Sequence, residues 1–104
     1  MKYAMVMTTT DKRKVADAIA KSLVKKRLAA CVQIVGPIVS TFIWKNKLGV
    51  GKEWLMLIKS SAASYKKIET EITRLHNYEL PEIIQLPIST GSKKYLNWIG
   101  RMTK

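Results

Sequence analysis

One histidine stands in the chain, His76, and Tyr78, Glu79 and Glu82 follow it closely around Pro81 in the run RLHNYELPEII, Arg74 to Ile84. An imidazole, a phenol and two carboxylates this close together suit metal ligation or acid–base work, and they also suit a junction between two elements. A closed zinc site draws on several thiolates and imidazoles, and the chain has one cysteine, Cys31, and one histidine. A tight metal site built by one chain is not expected, whereas one assembled across copies stays open. Nucleophilic catalysis needs a base and an orienting group beside the nucleophile. Cys31 lies in AACVQ among small apolar residues and reads as a buried structural thiol. There is no Gly-x-Ser-x-Gly elbow or phosphate loop, the five glycines being scattered. Met5 and Met7 alternate onto one face of a strand, with Met56 expected nearby. Thioethers suit Cu(I), but in an apolar strand they read as packing.

The elements that must position these residues follow from periodicity. YAMVMTT, 3–9, reads as a strand; Asp11 offers an N-cap, and Val15, Ile19 and Leu23 recur every four residues, giving a helix over 11–27. LAACVQIV, 28–35, is a second strand that Gly36-Pro37 punctuates, and 38–45 continues it. A turn through Lys47 to Gly51 leads to EWLMLIK, 53–59, completing a hairpin. Ser61 and Ser64 supply capping hydroxyls for a helix carrying Tyr65, Ile68, Ile72 and Leu75. EIIQLPI, 82–88, is a strand that Pro87 assigns to an edge or a bulge. Ser92 caps a last short helix with Tyr95, Leu96, Ile99 and Met102 on one side. The order β-α-β-β-α-β with a trailing helix is the ferredoxin-like α+β plan, as one domain over 1–104.

With 104 residues, 19 of them basic and 7 acidic, the chain carries a net charge of +12. That excess favours anionic partners, yet it speaks to association rather than fold. Seven of the basic residues fall within 12–27, where a solvated helix face is the simplest reading. RNA-recognition modules of this topology carry a basic-Gly-aromatic pattern on their central strands. CVQIV and WLMLI lack it, so specific nucleic-acid binding is not expected; loose electrostatic contact through the helices stays open. No apolar run is long enough to span a bilayer, and a lone cysteine gives no disulfide, so a cytoplasmic protein without a membrane partner is expected. The strands YAMVM, CVQIV, WLMLI and EIIQLPI are apolar at nearly every position, whereas a sheet covered on one face should alternate. Both faces want cover, and a further copy of the chain supplies it most economically.

Together KRLAACVQI (26–34), FIWKNKL (42–48), EWLMLIKSS (53–61), LHNYELPEIIQLPI (75–88) and YLNWI (95–99) resemble the CutA family, the divalent-cation tolerance proteins. The likeness runs over essentially the whole chain, in order and with nearly ungapped spacing. It implies a ferredoxin-like subunit in a PII-like homotrimer, a role in the response to metal ions, and no enzymatic activity. It implies no obligatory cofactor, with Cu(II) or another divalent metal as the ligand. The family's His-Pro-Tyr is here His76-Asn77-Tyr78, and Asn77 suits a left-handed helix C-cap. Some members hold copper with a first-strand cysteine and histidines before the Pro-Tyr. Thr8 and Leu75 stand in two of those places here, leaving His76 as the metal-site candidate. Pro81 keeps Leu80 out of the helical region and so launches the last strand. Tyr78, Glu79 and Glu82 are expected to line a cleft between subunits, with Lys59 as a carboxylate's partner. The alternative is a PII-like trimeric sensor that takes a small anionic ligand in those clefts.

Overall fold

The computed structural model describes residues 2–103. Strand β1 (Tyr3–Thr10), helix α1 (Arg13–Lys25), strands β2 (Ala29–Trp44) and β3 (Lys47–Ser61), helix α2 (Tyr65–Leu75), strand β4 (Ile84–Pro87) and helix α3 (Lys93–Met102) follow one another. The strands form one antiparallel sheet in the order β2-β3-β1-β4. This is the ferredoxin-like βαββαβ arrangement with an added C-terminal helix. Pro87 sits in an edge strand, where its missing N–H costs no ladder bond.

Alternation along the strands decides which face the helices cover. Ala4, Val6, Thr8 and Thr10 of β1 and Met56, Ile58 and Ser60 of β3 are buried. Ala16, Ile19 and Leu23 of α1 and Ile68 and Ile72 of α2 close over this face, and all are fully buried. The four-residue recurrence seen in the sequence is thus the packing seam. Met56 pairs with Thr8 in register, so it points into this core, away from Met5 and Met7 on the other face. Cys31 is half-buried on that other face rather than enclosed. There α3 packs across the end of the sheet, with Gly100 against the Tyr3 ring and Ser61 Oγ 2.6 Å from Thr103 Oγ1. Beyond its reach Met5, Met7, Leu55 and Leu57 share the open face with the exposed Val35, Ile84 and Leu86.

Several local expectations are corrected. Helix α1 spans 13–25, and its N-cap position is Lys12 with no side-chain bond; Asp11 instead accepts from Asn77 Nδ2 at 2.8 Å. Neither Ser61 nor Ser64 caps with its side chain, whereas Ser92 Oγ does accept from Tyr95 N. Residue Asn77 is not left-handed: His76, extended at φ −71° and ψ 148°, already ends α2. The left-handed residue that closes a helix is Arg27, φ 61°, which ends α1 and gives its guanidinium to the Arg101 and Met102 carbonyls of α3. The final strand is shorter than 82–88, covering Ile84–Pro87.

The hairpin differs most from expectation. Its turn is Lys45-Asn46, both at positive φ, the two-residue geometry that matches strand twist. Gly49 and Gly51 therefore lie in β3, not in the turn. A Cβ at Gly49 would fall 2.6 Å from the Phe42 ring, so glycine is what lets that ring lie over the strand. Strand β2 runs through a register shift between Val35 and Ile38, where Gly36-Pro37 is a cis bond. Past Thr10, which pairs with Trp54, β1 no longer flanks the ribbon. Residues 38–53 then stand out as a two-stranded arm, with Val39 72%, Ile43 68%, Leu48 72% and Val50 65% exposed.

Candidate functional site

The chain after α2 turns back beneath the base of this arm, and side-chain bonds rather than regular structure hold it. Asn77 is fastened to the end of β1: Thr10 Oγ1 donates to its Oδ1 at 2.6 Å, and its Nδ2 donates to Asp11. The ring of His76 is fixed at both nitrogens. Nε2 lies 2.8 Å from the Thr9 carbonyl oxygen, and the backbone N–H of Tyr78 donates to Nδ1 at 3.0 Å. A carbonyl only accepts and an N–H only donates, so the ring is the neutral Nε2–H tautomer. Burial pushes its pKa below the ordinary value, outweighing the Thr9 carbonyl and the Asp11 and Glu53 charges.

Tyr78 is thereby aimed across to β3. Its ring stands 4.9 Å from that of His76, and its hydroxyl donates to Glu53 Oε2 at 2.5 Å. Burial, then the bond and charge of Glu53, raise the phenol well above its usual pKa, so it stays a hydrogen-bond donor at any physiological pH. Around this pair lies a cleft of about 860 Å³, within the range of small-ligand sites. Its walls are one side of the arm, from Glu53 at its base out to Phe42 and to Trp44 beside the turn, the end of β1, with Asp11, and the segment after α2, with Tyr78, Glu79 and Glu82.

Of the residues singled out in the sequence, Tyr78, Glu79 and Glu82 come together here, and His76 stands behind Tyr78. Lys59 does not join them. It lies farther along β3 on the open sheet face, where Nζ donates to Gln33 Oε1, so within the chain it meets no carboxylate of the cleft. Glu53, Asp11, Phe42 and Trp44 were not anticipated. Glu53 and Tyr78 are 25 residues apart, and only the strand order brings them together. The one hint was compositional: acidic residues are few enough that each has to be placed.

Four of the seven acidic residues, Asp11, Glu53, Glu79 and Glu82, line this cleft, against one basic residue among those described, Lys52. An arrangement of this kind attracts cations. Among the described residues no three or more His, Cys, Asp or Glu side chains are grouped to hold a metal ion. The donors of one chain therefore do not make a closed metal site, and the one free lone pair of the His76 ring, on Nδ1, already accepts from Tyr78 N–H.

Comparison with known proteins agrees with the fold and the motifs. A model of the CutA1 divalent ion tolerance protein family matches residues 4–102. The divalent-cation tolerance protein CutA of Thermus thermophilus is 38% identical over 99 residues, 95% of this chain and 96% of its own. A solved structure of the divalent cation tolerance protein Cut A1 from Thermus thermophilus superposes with a TM-score of 0.95 at 37% identity, covering 98% of this chain and 99% of that one. CutA from Xylella fastidiosa gives a TM-score of 0.96 at 34% identity over the full length of both chains. Protein CutA of Mus musculus is 38% identical over 92% of this chain, which spans 54% of that longer relative.

Proposed function

The chain belongs to the CutA1 divalent ion tolerance protein family, and from that premise we propose that it acts in the response to divalent metal ions as a homotrimer, with copper or another divalent cation taken at clefts between subunits. Membership makes it a divalent-cation tolerance protein rather than a catalyst. One observation carries the cleft assignment: a chain of net charge +12 places four of its seven carboxylates around a single cavity. That cavity lies along one side of an arm whose apolar side chains a second copy would cover, so the missing donors would come from a neighbour. Residues 1–104 act as one domain in this reading, supported by one contiguous buried cluster from β1 to α2. A cytoplasmic setting is supported by the lack of a second cysteine.

The roles divide by geometry. Glu53, Glu79 and Glu82 supply oxygen donors, Tyr78 holds one Glu53 oxygen in place, and His76 fixes the loop that carries Tyr78. Direct ligation by His76 Nδ1 would require it to release the Tyr78 N–H. An anionic ligand, the alternative, has only Lys52 among the described residues to meet it in this cleft.

Calorimetric titration with Cu(II), Zn(II) and a panel of nucleotides tests the reading. A divalent metal should bind more tightly than about 1 mM, and His76→Ala should weaken it by loosening Tyr78. Nucleotide binding without metal binding overturns the metal reading in favour of the anionic one. Unchanged metal affinity in His76→Ala removes that residue from the site.

A further inference from the structure

The cleft uses four carboxylates, and the other three, Asp17, Glu69 and Glu71, lie on the two helices that cover the sheet. Those helices and their flanks, 12–27 and 65–75, carry ten basic residues against these three, an excess of seven out of the chain's net +12. The acids there are largely spoken for. Asp17 pairs with Arg13 at 3.2 Å, and buried Glu71 accepts from Ser22, Lys26 and Arg74. What faces outward is cationic. Lys14, Ala18, Lys21 and Lys25 form one exposed stripe along α1, its lysines about 10 Å and then about 6 Å apart along the axis. Beside its C-terminal end, Lys26 and Leu28 just after α1 and Lys66, Lys67, Thr70 and the ion-paired Glu71 of α2 line a groove of about 350 Å³.

We infer that this helix layer is a docking surface for single-stranded nucleic acid, held through its phosphates without sequence preference. The charge sets the sign of the partner. Of the large apolar side chains exposed on α1 and α2, Val24 is the one described, so the layer offers no wedge to enter a lipid surface. It also presents no exposed aromatic residue on which a base would stack, which leaves the backbone as the contact and makes binding indifferent to sequence. The partner's flexibility follows from where the layer lies. The open apolar face is on the opposite side of the sheet, so covering it with further copies, as in the assembly proposed above, turns every helix layer outward in a different direction. A flat bilayer meets one such layer at a time, whereas a flexible strand can pass from one to the next.

Fluorescence anisotropy of the full chain with a labelled 30-nucleotide oligo(U), read from 50 to 200 mM salt, tests this. With about five phosphates engaged, log affinity should fall with a slope near −3.5 against log salt, roughly a hundredfold over that range. Lys21→Glu with Lys25→Glu should weaken binding at least tenfold. Lys93→Glu with Lys94→Glu, the same charge change at the start of α3, should do much less. Should the first variant unfold on a thermal melt, Lys66→Gln with Lys67→Gln reads the same surface with a smaller perturbation and should weaken binding several-fold. Absence of binding at 50 mM salt overturns the inference. So does equal loss in the α3 variant, which would mean net charge alone, and so do anionic phosphatidylserine vesicles outcompeting the oligonucleotide.

Discussion

Thr8 and His76 illustrate how differently two polar side chains can be held in one small domain. His76 has both ring nitrogens bonded, and its loop is ordered through them. Thr8 is fully buried, and its hydroxyl has no partner among the described residues. Its environment is the apolar core beneath α1 and α2, so the hydroxyl is carried there at a desolvation cost. Thr8→Val, which keeps the shape and removes that group, should leave stability unchanged or raise it by up to about 1 kcal/mol. Thr8→Ser, which keeps the hydroxyl and deletes a methyl, should lower it by about 1 kcal/mol. Thermal or urea unfolding measures both, and a clear loss on Thr8→Val would mean that the hydroxyl is satisfied after all.

The helices are tied to each other and to the sheet by a few directed contacts on top of the apolar seam. Glu71, with its side chain 8% exposed, links α2 to α1 through Lys26 at 3.0 Å and Ser22, and it is backed by Arg74 at 2.7 Å. The bonds from Arg74, Ser22 and Lys26, in that order, hold its pKa well below the ordinary 4.5. A depressed folded-state pKa means the unfolded chain takes up the proton first. The stability Glu71 contributes is therefore complete above about pH 4.5 and is lost as the pH falls toward the folded value. Glu71→Gln should flatten the acid limb of a stability–pH curve and lower stability at pH 7; an unchanged acid limb would show that other carboxylates govern it. The element ends were less legible in the sequence. Asp11, Ser61 and Ser64 have capping chemistry, but Asp11 is bonded by Asn77 and Ser61 lies beside Thr103. Competing long-range partners decided which hydroxyl or carboxylate became a cap.

At the scale of the molecule, the extents of 44 × 25 × 22 Å reflect the arm projecting from a compact α+β body. A lone two-stranded ribbon is marginal in water, and this one exposes branched aliphatic residues on its surface. The open sheet face adjoins it, so cover for one continues into cover for the other. Sedimentation equilibrium should find a particle near three times the 11.8 kDa subunit mass. Val39→Lys combined with Ile43→Lys, which places two charges on one side of the arm, should shift the population to smaller or unfolded species. A well-folded species of subunit mass in dilute wild-type protein would contradict the trimer and every cleft shared within it.

Strand and helix order, the core seam of Ile19, Leu23, Ile68 and Ile72 and the family resemblance could all be read from the chain alone, while Pro87 was narrowed to an edge or a bulge and the strand order chose the edge. Those read outright depend on local periodicity or on short motifs. The sequence also placed Tyr78, Glu79 and Glu82 in one segment, since three neighbours need no fold to meet. Tertiary structure alone decided that Glu53 completes this group, that Lys59 stands elsewhere, and that the turn falls at Lys45-Asn46. Those outcomes depend on strand order and register, which bring residues 25 positions apart to within a hydrogen bond. No local pattern encodes such a distance; it is set when β3 pairs with β1 and the chain after α2 closes beneath the arm.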